Sequence, residues 1–130
     1  MVFLAAAVLA AGLLSCELME PKTAVLWTDR PEFAVYAEHF NTSQSRYKLE
    51  VQYFDTPAQQ LIGVKNHPDI VVGSWLKSAS TRVYFKPLDY FFEDLLLAEP
   101  AFYRRLLDLG NIEGRQYLFP VSFNVPALIF

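Results

Sequence analysis

Three short apolar runs, each separated from the next by a helix-start signal, constrain this chain more than anything else in it. The first is Ala24-Val25-Leu26-Trp27-Thr28. The second, residues 47–54, alternates: Tyr47, Leu49, Val51 and Tyr53 point one way, Lys48, Glu50 and Gln52 the other, the period of a strand. The third is Asp69-Ile70-Val71-Val72-Gly73, apolar enough for burial on both faces. After the first run, Asp29-Arg30-Pro31-Glu32 offers an N-cap, a proline suited to a first helical turn and an acid for the helix dipole. Phe33, Tyr36, Ala37 and Phe40 then recur at helical spacing, and Asn41-Thr42-Ser43 ends the run. After the second, Asp55-Thr56-Pro57 caps a helix over residues 58–64, with Leu61, Ile62 and Val64 as its apolar positions, and Asn66-His67-Pro68 breaks it. Strand, helix, strand, helix, strand predicts an α/β fold with a mostly parallel sheet and right-handed crossovers.

The rest of the chain reads less regularly. Residues 74–80 suit a short helix or a loop. Lys86-Pro87-Leu88-Asp89 turns into an apolar segment over 90–97. Pro100 opens a further helix with Phe102, Leu106 and Leu107 facing inward and Gly110 as its stop. Residues 112–117 read as a tight hairpin. Residues 118–130 are apolar, interrupted by Pro120 and Pro126.

Composition excludes several classes. Hydrophobic residues make up 53% of the 130 and charged residues 19%, too apolar a balance for disorder. A net charge of −3 gives no basic surface for nucleic acid. One cysteine permits no internal disulfide and no zinc site of several cysteines, and His39 and His67 lie in no ligand spacing. No Gly-x-Ser-x-Gly elbow occurs, and nothing pairs the acids Asp29, Asp55 and Asp69 across a cleft. Neither an enzyme nor a resident cofactor is expected.

The first 15 residues stand apart. Residues 2–14 are almost purely apolar and small, and as a helix they would span roughly 20 Å, short of the ~30 Å hydrocarbon core. A signal peptide fits better than a membrane span. The run ends in Leu13-Leu14-Ser15-Cys16, which resembles the bacterial lipobox. That resemblance implies cleavage before Cys16, lipid on its sulfur, and a polar tether over residues 16–23. Met1 is followed directly by Val2, without the usual Lys or Arg, so a start further upstream is expected. The mature protein would sit outside the cytoplasm, held to a bacterial membrane by acyl chains.

Residues 24–130 resemble the extracellular solute-binding proteins of ABC importers, of the family that serves sugar transporters. The pieces occur in order: Ala24-Val25-Leu26-Trp27-Thr28-Asp29; Phe40-Asn41 followed by Leu49-Glu50-Val51; His67-Pro68-Asp69-Ile70-Val71; Pro87-Leu88-Asp89; Gly114-Arg115-Gln116-Tyr117 with Leu118-Phe119-Pro120; and Ser122-Phe123-Asn124 with Leu128-Ile129-Phe130. The resemblance implies the N-terminal lobe of a two-lobed binding protein, the second lobe missing from this chain. It implies a monomer that hands a small solute, a sugar, to permease subunits. One departure is local: Gly63-Val64-Lys65-Asn66 replaces a longer helix ending in Gly-Asp. The rival readings are a lipid-anchored exported hydrolase and a structural surface lipoprotein.

In parallel α/β sheets ligands bind beyond the C-terminal ends of the strands. Three places qualify: residues 27–32, residues 73–75 and residues 122–124. Sugars present flat C–H faces to aromatic rings and hydroxyls to polar groups, so Trp27, Asp29, Arg30, Ser74, Trp75 and Asn124 are the candidate contacts. Each has a plainer alternative: core packing for Trp27, helix capping for Asp29, a solvated charge for Arg30. The aromatic cluster Tyr84, Phe85, Tyr90, Phe91 and Phe92 is read as packing, and His67 as a turn residue.

Overall fold

A computed structural model describes residues 20–93 and 104–122. The expected signal peptide, Cys16, half of the tether, Pro100, Phe102 and Asn124 lie outside the described residues.

The order of elements over the first half is the one the sequence predicts. Strand β1 (Lys22–Thr28), helix α1 (Phe33–Ser43), strand β2 (Tyr47–Tyr53), helix α2 (Pro57–Gln60) and strand β3 (Ile70–Val72) follow one another. β1 pairs in parallel with β2 along its whole length, from Lys22↔Tyr47 to Thr28↔Tyr53, and with β3 from Leu26↔Ile70 to Thr28↔Val72. The sheet order is β2-β1-β3. The first strand in sequence therefore lies in the middle, which explains its burial: Leu26, Trp27 and Thr28 are all covered. β1 also starts at Lys22, two residues inside the expected tether.

The details depart from expectation where partners are few. β3 is an edge strand, so Ile70 is 44% exposed and Val71 and Val72 are half-buried, not buried on both faces. On α1 only Ala37 is buried, while Tyr36 and Phe40 of its apolar stripe remain exposed. Helix α2 is a single turn. Thr56 precedes it, Pro57 occupies its first turn, and Gly63 at φ +89° turns the chain away soon after. Leu61 is sealed at 1% exposure while Ile62 faces solvent.

Beyond the sheet come α3 (Ala79–Arg82), α4 (Tyr90–Glu93), α5 (Arg104–Leu107) and a 3-10 turn, Asp108–Gly110. Ser78 caps α3 by accepting the Thr81 N–H. The expected hairpin is present as β4 (Asn111–Ile112) and β5 (Arg115–Gln116), antiparallel. Its two turn residues, Glu113 and Gly114, both have positive φ, as a two-residue turn of this hand requires. Gly110 does not stop its helix through a left-handed backbone. It is buried, and a Cβ there would fall on the Leu118 carbonyl oxygen, so only glycine fits. Its own carbonyl accepts the N–H groups of Tyr117 and Leu118.

Several of the ordered sequence pieces prove to be joined. The Asn41 amide donates to the Leu49 carbonyl and accepts the Leu49 N–H. The Asp69 carboxylate accepts the Val25 N–H at 2.8 Å, and the Asp69 N–H donates to the Val25 carbonyl. Asp89 accepts the Gln116 N–H at 3.0 Å and Arg115 Nε at 3.2 Å, which pins the Pro87-Leu88-Asp89 turn to the hairpin. Among the described residues no helix is long and apolar enough to cross a membrane.

Candidate functional site

The strand order makes a site before any side chain is considered. The chain moves one way from β1 to β2 and the other way from β2 across to β3. Connections that diverge like this leave a crevice at the C-terminal ends of the two strands between which the direction reverses, here β1 and β3. The residues leaving those two strands are Asp29-Arg30 and Gly73-Ser74-Trp75.

The exit from β1 is tight. Thr28 is fully buried, and its hydroxyl accepts the Arg30 N–H at 3.0 Å while its carbonyl accepts the Phe54 N–H. This turn sends the Asp29 side chain toward β3. Asp29 does not cap α1: the residue before that helix is Glu32, which makes no capping bond. Instead the Asp29 carboxylate lies against the backbone of Gly73. A Cβ at Gly73 would sit 3.3 Å from Asp29 Oδ1 and 3.2 Å from Pro57 Cγ. The bare Gly73 thus lets the ends of β1 and β3 and the start of α2 come together at one point.

Asp29 Oδ1 is covered and accepts no hydrogen bond. Its neighbour is Arg30 Nε at 3.3 Å, an ion pair whose N–H is not aimed at the oxygen. A carboxylate oxygen shielded from water with its acceptor capacity unused is costly. Arg30 is the more open of the two, with 38% of its side chain exposed against 21% for Asp29, so it is the partner free to move.

Trp75 is the most unusual residue of the site. Its backbone adopts φ +62°, the left-handed region, at a cost of about 1–2 kcal/mol for a residue with a Cβ. The residue is 87% exposed. A strained backbone that holds a large ring in water gains nothing from the described packing, and such outliers collect at functional sites. Ser74 beside it is exposed as well.

Trp27 has a different position from the one a contact residue needs. It is 6% exposed, its indole N–H donates to Gln52 Oε1 at 2.9 Å, and its ring lies 4.6 Å from that of Phe54. Both its apolar face and its polar tip are used inside the protein, so it belongs to the core. The structure thus brings Asp29 against Gly73 at the ends of β1 and β3, with Arg30 beside Asp29 and the exposed Ser74 and Trp75 following Gly73 in the chain, and withdraws Trp27.

No family model, curated protein or solved structure matches the chain.

The site rests on its own geometry. Sequence reasoning placed Gly73 among the strand-end residues without giving it a role, and missed Pro57, although a glycine closing an apolar strand was a visible signal for close backbone approach. A separate, open groove of about 350 Å³ is lined by Leu106, Leu109, Pro120, Val121 and Ser122. Among the described residues it shares none with the crevice and carries no titratable group. His67, exposed, places its ring 4.8 Å from that of Tyr84.

Proposed function

We propose that the chain is the ligand-capture lobe of an extracytoplasmic solute-binding lipoprotein, anchored through Cys16, that delivers a carbohydrate to the permease of an ABC importer. The observation that carries this reading is the exposed Trp75, held on left-handed backbone two residues past Gly73 at the end of β3. An open indole offers a flat apolar face for the C–H side of a sugar ring. Asp29, with an unused acceptor, and the partly open Arg30 supply the polar half of such recognition. The ordered sequence pieces that resemble sugar-binding lobes support the same class.

The test is titration calorimetry of the full chain against a panel of mono- and disaccharides, with and without Trp75→Ala. The expected outcome is reversible binding weakened more than about tenfold by the substitution, or roughly 1.4 kcal/mol. Unchanged affinity removes Trp75 from the site. Failure of every sugar to bind removes the carbohydrate assignment, and turnover in place of reversible binding would mark a hydrolase.

A further inference from the structure

β2 is an edge strand, and an open strand edge is a template for pairing with another chain. The flanking bonds fix which residues look outward. The Arg46 carbonyl accepts from Lys22 N–H, and the Phe54 N–H donates to the Thr28 carbonyl, so even-numbered residues face β1. Tyr47, Leu49, Val51 and Tyr53 therefore turn their backbone groups away from the sheet.

The first two of these are already occupied. Leu49 N–H donates to Asn41 Oδ1 at 2.7 Å, and the Leu49 carbonyl accepts from Asn41 Nδ2 at 2.9 Å. Tyr47 N–H donates to Gln44 Oε1 at 2.8 Å, and the Tyr47 carbonyl accepts from Gln44 Nε2 at 2.7 Å. A primary amide carries the same donor and acceptor pair as a peptide group. Each side chain thus takes the place of one residue of a neighbouring strand. Both come from the end of α1, three residues apart, and both sit on alternate residues of β2. For Val51 and Tyr53 no such partner exists among the described residues.

We propose that Asn41 and Gln44 are edge guards: side-chain surrogates for a missing strand that keep a second copy of this chain from adding to β2. With both amides present, a copy finds only the outward groups of Val51 and Tyr53, too short a ladder to hold. With both removed, four alternate residues open at once, and a strand of a second copy gains a full register of bonds. This reading is independent of any ligand.

The test is sedimentation velocity of the full chain in a density-matched detergent over a range of protein concentrations, for three forms. The wild type is expected to sediment as one species. Asn41→Ala with Gln44→Ala is expected to self-associate at a concentration at least tenfold lower. Adding Leu49→Pro to that pair removes an outward N–H while leaving the bonds to β1, which an edge strand tolerates, and is expected to restore the wild-type profile. The proline distinguishes edge pairing from unfolding, because it would worsen an unfolded state. An alanine pair that sediments like the wild type, or association that the proline does not reverse, overturns the proposal.

Discussion

The two tryptophans illustrate how one residue type serves opposite ends. Trp27 is enclosed by Phe54 and bonded to Gln52, whereas Trp75 is in water on strained backbone. Truncating Trp27 removes one of the few large side chains in a core that otherwise holds Leu26, Ala37, Ala58 and Leu61. Trp27→Ala is expected to cost about 3–5 kcal/mol, and Trp27→Phe, which keeps the ring contact but loses the Gln52 bond, about 1 kcal/mol more than a neutral swap. Urea titration followed by circular dichroism checks both. A Trp27→Ala protein with wild-type stability would show that the ring is not core.

At the level of the elements, the hairpin and the turn before it behave as one unit. Gly110 has no room for a methyl group against the Leu118 carbonyl, so Gly110→Ala is expected to destabilise by about 2–3 kcal/mol, visible in thermal unfolding. Asp89 provides the pH dependence. The Gln116 N–H holds its carboxyl below the ordinary 3.8; burial opposes this, and the Arg115 side chain reinforces it. The folded form thus binds this proton less readily than the unfolded one. The stabilisation is complete above the ordinary carboxylate range and fades as pH falls through the lowered value. Gln116 amide exchange, corrected for its intrinsic pH dependence, should accelerate as pH falls below the ordinary carboxylate range; in Asp89→Asn that acceleration should vanish. Such links explain what the sequence could and could not reveal. The order of β1, α1, β2, α2 and β3 was legible because apolar period and cap residues are local signals. The burial of β3 was not, since an apolar run reads alike at a sheet's edge and at its centre. Nor was the true role of Asp29, Asn41 or Asp89, because each is settled by a partner distant in sequence: Gly73, Leu49 and Gln116. That Ser74 and Trp75 follow the end of a strand was legible, but whether Trp27 faced in or out depended on Gln52 and Phe54.

On the scale of the whole molecule, the described core is small and many large apolar side chains stay in contact with water, Val35, Tyr36, Val83 and Tyr90 among them. The ligand-capture lobe proposed above would depend on tethering for its local concentration at a membrane surface. The proposed tether makes a direct prediction: bacterial cells fed a labelled palmitate should incorporate it into the chain, and Cys16→Ser should abolish both the label and membrane association. Retention of the label in Cys16→Ser would remove the lipid anchor.

The sheet order has a consequence in time. β1 is made first yet needs neighbours on both flanks. While the ribosome is still working through α1, nothing exists for β1 to pair with, and its Leu26 and Trp27 wait uncovered. One flank closes only after Tyr53 has been made, the other only after Val72. Each closure spans a long stretch of chain, so the nascent protein carries β1 bare until both of its partner strands have been made. Whatever escorts this polypeptide during synthesis should therefore find its target near residues 24–28, and should let go once β3 arrives.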